Sequence, residues 1–174
     1  MKIFRLTRSR YSPKDSTGAR LWGGRWTSPG NAVRYASSTL SLACLEVLVH
    51  LRDVGLMPSD FVFCEIDVPE NLIRPWTLSA EETQAKLESL VLSREYGDEW
   101  YERTRRIEVA AQSAPPEARS YLKRYWAPVQ EVPSVIVPRE MNYLISTVDP
   151  RFEELVWSEP QPFRFDPRLL AAAE

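Results

Sequence analysis

The sequence predicts an α+β domain, a compact mixed sheet with flanking helices. Strand-like alternation opens the chain, helix-prone segments fill its middle, and strand-like runs return near the end. No regular alternation of strand and helix marks a doubly wound parallel sheet. At 174 residues the chain fits a single domain, 1–174, long enough to bury a real core.

The elements follow in order. "KIFRLT" (2–7) alternates and predicts the first strand, and residues 8–20, polar with Pro13 and Gly18, predict a loop. "LWGGRWTSPG" (21–30) continues that loop into a Pro-Gly turn, and "AVRYAS" (32–37) predicts a strand or an extended link. "STLSLACLEVLVHLRD" (38–53) predicts a helix capped by Ser38 or Thr39. Its apolar residues Leu40, Ala43, Val47, Leu48 and Leu51 recur at helical spacing, and Gly55 and Pro58 end it. "FVFCEIDV" (61–68) predicts a strand and "PENLIRPW" a loop. Residues 79–110 predict two helical pieces broken near Gly97, and "PPEARSYLKRYW" (115–126) one more short helix. "VPSVIV" (132–137), "MNYLIST" (141–147) and "PFRFD" (162–166) predict the closing strands.

With 22 basic and 24 acidic residues the net charge is −2, so no whole-chain field favours nucleic acid or an anionic membrane. Cys44 and Cys64 are far apart and form no metal spacing. They read as buried thiols in a reducing compartment. "MKIFRLTRSRY" has no apolar core of a signal peptide, and no apolar run reaches membrane-span length. A soluble cytoplasmic protein is the expectation. The six Trp and seven Tyr suggest an aromatic-lined pocket.

No Walker loop, GxGxxG, HExxH or GxSxG motif is present, and the single histidine, His50, excludes a multi-histidine metal site. No metal is expected. Four residues carry candidate chemistry. Arg25, after Gly23 and Gly24, is either an anion clamp approached closely by ligand or a loop arginine stacked on Trp22 or Trp26. Glu46 sits in the apolar run "LACLEVLV", where a carboxylate is costly unless paired. It is either a catalytic acid, base or electrostatic stabiliser, or the ion-pair partner of Arg34, Arg52 or another base. Tyr35 and Ser134 are, on their own, an ordinary half-buried tyrosine and an ordinary strand hydroxyl.

Together these residues resemble a known family. "TGARLWGGRWTSPGNAVRYASSTLSLACLEVLVHL" (17–51) resembles the opening signature of the RES-domain toxins, named for an arginine, a glutamate and a serine. Arg25, Glu46 and Ser134 match those three, Tyr35 matches the intervening tyrosine, and Glu140, Asn142, Tyr143 and Leu144 match the segment after the serine. "PSDFVFCEIDVP" (58–69) and "YGDEW" (96–100) match further segments, so the likeness covers most of residues 1–150. Two departures stand out. Residues 101–131 form a longer charged, helical insertion that bears on a lid or a partner surface, and "STVDPRF" (146–152) replaces a histidine-bearing segment.

The resemblance implies a fold similar to the ADP-ribosyltransferases and consumption of NAD+ as substrate, with no resident cofactor. It implies cleavage of the nicotinamide–ribose bond, with ADP-ribose passed to water, phosphate or, in some members, protein. Glu46, Arg25 and Tyr35 are then the catalytic candidates. Arg25, Tyr35, Ser134, Gly24 and Asn142 are the candidates for holding the dinucleotide. It also implies a cognate antitoxin with an Xre-type helix-turn-helix domain, a possible higher-order toxin–antitoxin assembly, and no direct contact with nucleic acid or membrane. Besides an NAD+-degrading enzyme, a protein ADP-ribosyltransferase and a non-catalytic nucleotide-binding module fit the same residues. Trp22 and Trp26 are both expected to brace the loop.

Overall fold

A computed structural model of the chain describes residues 1–50, 59–115 and 127–169. The elements are β1 (Lys2–Arg8), α1 (Thr17–Trp22), β2 (Val33–Ser37), α2 (Leu40–Leu48), β3 (Phe61–Asp67) and β4 (Ile73–Arg74). They continue with α3 (Ala80–Glu88), α4 (Leu90–Ser113), β5 (Val129–Pro133), β6 (Met141–Ser146), β7 (Val156–Trp157) and β8 (Gln161–Phe163). The strands join one sheet in the order β4-β5-β6-β2-β1-β3-β7, with β8 pairing β3 beside β7. The β4/β5 pair is parallel and the other pairs are antiparallel. The fold is therefore α+β, with helices flanking a mixed sheet.

Alternation along the strands sorts the core. Tyr143 and Ile145 of β6 face a cluster with Ile3, Ile66, Val129 and Phe152, whereas Leu144 faces Trp26, Trp100 and Val132. The second cluster includes Trp100 and Tyr101 of α4, and Leu6, Ala43 and Phe61 form a third. Helix α2 contacts β1 and β2, with Leu42 and Ala43 buried.

Several local expectations change. The predicted loop over 8–20 ends in α1, which carries the chain through Trp22. The predicted break near Gly97 falls instead at Ser89, whose hydroxyl accepts from Leu92 N and starts α4 as α3 ends. Gly97 lies inside α4, where a Cβ would sit 1.7 Å from the Trp26 carbonyl oxygen. It lets the helix and the GGRW loop approach closely. The predicted strand over 132–137 is shifted: β5 runs from Val129 to Pro133, and the Ser134 hydroxyl then accepts from Ile136 N and Val137 N, both at 3.1 Å, curling the chain. The helix predicted over 38–53 is shorter, ending at Leu48 with Val49 as its cap, while Arg52 and residues 116–126 of the helix predicted over 115–126 lie outside the described residues. Of the insertion over 101–131, residues 101–113 extend α4, and Tyr101 and Thr104 are buried.

One seam of the sheet is weak. Strands β1 and β3 stay in register from Lys2↔Asp67 to Arg8↔Phe61, and β2 and β6 from Val33↔Ser146 to Ser37↔Asn142. Between β1 and β2 the register holds at Phe4↔Ser37. The two half-sheets part beyond that point, and the site lies at the parting.

Candidate active site

The parted seam opens into a cavity of about 760 Å³. Phe4, Arg5 and Leu6 of β1, Tyr35 and Ser37 of β2, Glu46 of α2, Asn142 of β6 and the loop Gly23–Trp26 line it. Helix α1 runs along one side and the C-terminal end of α2, with Val49 and His50, along another. The volume is in the range of small-molecule sites.

Glu46 is held by residues far away in sequence. The Ser134 hydroxyl donates to Glu46 Oε1 at 2.8 Å, and Asn142 Nδ2 donates to the same oxygen at 2.5 Å. The Ser37 hydroxyl donates to Asn142 Oδ1 at 2.7 Å, which fixes the amide's orientation. Among the described residues Oε2 has no protein donor. Neither Arg34 nor another described base pairs with the carboxylate. Ser134 is fully buried and its hydroxyl is committed to Glu46 and its own turn, so it orients the carboxylate from behind the cavity wall.

Tyr35 presents its ring to the cavity, but its hydroxyl is pinned in the wall. It bonds Thr27 Oγ1 at 2.8 Å and accepts from Trp26 N at 3.3 Å. Burial pushes its pKa up to about 12, so it stays protonated at neutral pH. Gly24 packs on this ring: a Cβ there would lie 2.5 Å from the Tyr35 hydroxyl oxygen. The glycine therefore makes room for tyrosine.

Arg25 lines the cavity, yet its Nη2 donates to the carbonyls of Lys86, at 3.2 Å, and Leu87 at the end of α3. Its Nε is buried without a partner. Arg94 Nε in turn donates to Gly24 O at 3.1 Å. Trp26 is 1% exposed and packs edge-on against Trp76 and Tyr96 with centroids 5.5 and 6.3 Å away; it braces the loop. Trp22 does not. It is 80% exposed on the cavity lip.

Arg5 is a site residue that sequence reasoning missed. It reaches from β1 across the seam, donating from Nη1 to Tyr35 O at 2.7 Å. Burial lowers its pKa to about 10, which leaves it charged at neutral pH, and its Nε is buried without a partner. An arginine at a polar position of the alternating "KIFRLT" carries no signal of its own, because its meaning depends on the seam. Arg34, on the opposite face of β2, stacks over Phe152 at 4.5 Å and stays out of the cavity. Among the described residues no group of His, Cys, Asp or Glu could hold a metal ion, and no helix is long and apolar enough to cross a membrane.

A sheet parted along one seam, with a hydrogen-bonded carboxylate and two arginines on the walls of the gap, defines an α+β protein with a cleft that carries polar groups on a mainly apolar wall. This chain belongs to the RES domain family, whose profile matches residues 2–166. It is 33% identical over 177 residues to Toxin Res of Photorhabdus laumondii, covering 99% of each chain. It is 30% identical to the Prs ADP-ribosylating toxin of a Sphingobium species, over 90% of this chain and 86% of that protein. In fold it is similar to a chain in the crystal structure of the M. tuberculosis MbcT-MbcA toxin-antitoxin complex. The TM-score is 0.61 at 14% identity, over 97% of this chain and 86% of that one. The relatives that it matches along their length are thus toxins.

Proposed function

We propose that this protein is the toxin of a toxin–antitoxin pair and cleaves the nicotinamide–ribose bond of NAD+ in the cytoplasm. The observation that carries this reading is Glu46. Two donors hold one of its oxygens, and the carboxylate lies on the wall of a cavity of dinucleotide size.

The chemistry follows from that arrangement. The C–N bond breaks with its electron pair going to the pyridinium nitrogen, so nicotinamide leaves neutral and needs no metal to activate it. The ribose is left as an oxocarbenium-like centre, and Glu46 supplies the facing negative charge without reorganising. Water or phosphate then attacks the anomeric carbon, and Glu46 accepts the proton when water is the acceptor. Arg5 and Arg25 offset the charge of the diphosphate. Tyr35 gives the nicotinamide an aromatic surface, and Gly24 keeps that ring in position. Asn142 and Ser134 act through Glu46. NAD+ is the substrate, and no resident cofactor enters.

The test is nicotinamide release from NAD+ by the purified chain, with and without phosphate. Glu46→Gln keeps the side chain's shape and removes its charge; release should fall by roughly 100-fold or more. Undiminished release would remove Glu46 from the chemistry. The ADP-ribosylating relative favours a second reading, transfer to protein. Label from the adenosine half of NAD+ that stays on protein would select it. The antitoxin is, by the family likeness, an Xre-type helix-turn-helix protein that closes the cleft. The structural neighbour, a chain of a toxin–antitoxin complex, supports an antitoxin partner.

A further inference from the structure

Trp22 is the most exposed large apolar side chain among the described residues, at 80%. Exposing an indole to water is costly, and this one is not on a mobile tail. It ends α1, and its surroundings are tied by Gly23 N to Ala19 O at 2.7 Å, Gly24 N to Thr27 O at 2.8 Å and Gly30 N to Arg20 O at 2.8 Å. Among the described residues no ring stacks on it. An unstacked indole on an anchored stretch of backbone, at the lip of a cavity, has the form of a platform for a flat ring.

Which ring it takes follows from the two ends of the cavity. Glu46 is half-buried, with its carboxylate anchored by the buried Ser134 and Asn142, and that anchored end suits the bond that breaks. Trp22 lies on the open lip with Tyr11 and Leu21, both about half exposed. Asp15 also lines this side; both hydrogen bonds to its carboxylate, from Thr17 N and Thr17 Oγ1, land on Oδ1. Its Oδ2 is left to accept from hydroxyl or amino groups, and its backbone carbonyl accepts from Arg5 Nη2 at 3.4 Å, so the lip adjoins the arginine that faces the diphosphate. We propose that the lip formed by Trp22 and Asp15 is the adenosine subsite, with adenine stacked on the Trp22 indole. The inference rests on the NAD+ reading of the same cavity.

The experiment compares wild type, Trp22→Ala and Trp22→Phe. With NAD+, Trp22→Ala should raise KM roughly tenfold at unchanged kcat, and Trp22→Phe should recover most of the loss. Nicotinamide mononucleotide lacks the adenosine half, so its KM should not move. An unchanged KM for NAD+, or an equal rise for both substrates, overturns the adenosine assignment while leaving NAD+ cleavage intact. Calorimetry with ADP reads the subsite without turnover: Trp22→Ala should bind about tenfold more weakly. If the wild type leaves NAD+ uncleaved, the functional reading falls and the ADP titration alone decides this inference. ADP binding that is absent, or equal in the two proteins, overturns it. So does a lip whose mutation weakens only a helix-turn-helix partner protein.

Discussion

Glu46 owes its setting to Ser134 and Asn142, which lie 88 and 96 residues further along the chain. A carboxylate in an apolar helix announces that it needs partners, and among the described residues these are two neutral donors, with Arg34 turned to the other face of its strand. Tyr35 is similar. Its hydroxyl is a wall fastener, and its ring is the part left for a ligand. The fastening has a pH signature. Burial raises the Tyr35 pKa from 10 to about 12, so the fold favours the protonated phenol. That stabilisation is present below about pH 10 and is lost as pH rises through about 12. Arg5 and Arg34, lowered to about 10, act in the opposite sense: burial penalises their charged forms, and the penalty lifts as they deprotonate. Comparing wild type with Tyr35→Phe isolates the tyrosine. Melting temperature should fall more steeply between pH 10 and 12 in wild type. At pH 7 the variant should be less stable by about 1–2 kcal/mol, since Trp26 N and Thr27 lose their partner. Parallel melting curves in the alkaline range would refute that role for Tyr35.

At the scale of elements, α4 and the GGRW loop are fitted to each other by an absence. Gly97 reads as a helix breaker in sequence, yet α4 passes through it uninterrupted because the fold needs its missing Cβ against Trp26 O. Adjoining contacts reinforce the junction: Asp98 Oδ1 accepts from Ser28 N at 2.8 Å and Asn31 Nδ2 at 2.6 Å, and Tyr101 OH accepts from Ala32 N at 3.1 Å. Gly97→Ala improves local helix propensity by up to about 1 kcal/mol. The clash with backbone should outweigh that gain, for a net loss of about 3 kcal/mol. The melting temperature should drop by roughly 6–12 °C. A stabilised variant would mean that the loop yields easily. Ser89, by contrast, is the real boundary, because one hydroxyl caps the helix that follows it.

At the scale of the molecule, the seam between β1 and β2 divides the sheet. Two well-registered half-sheets meet at Phe4↔Ser37, and Arg5 bridges the gap to Tyr35 O. Backbone amides along the seam beyond that pair should exchange with solvent faster than those of the β1/β3 ladder. ADP-ribose, the product that would span both half-sheets, should slow the seam amides and raise the melting temperature with the logarithm of its concentration above Kd. Equal protection of the two ladders, or no change with ligand, would show that the halves are not separately mobile.

Most elements were legible from period and punctuation: β1, α2, β3, β6 and the helical stretch around α3 and α4 carry patterns written in adjacent residues. The short β4 and β7 carry too few residues for a period, and their pairing is decided by distant strands. The candidates for the site were legible too, since Arg25, Tyr35, Glu46, Ser134 and Asn142 stand in motifs that resemble a family. Residue identity and local spacing thus determined the fold class, the family and the candidate residues. Tertiary structure decided what each one touches. It set Ser134 and Asn142 on one oxygen of Glu46, turned Gly24 into room for Tyr35, drew Arg5 into the cleft and left Trp22 bare on the lip. These relations are contacts between segments tens of residues apart, and no local pattern encodes where a sheet will part.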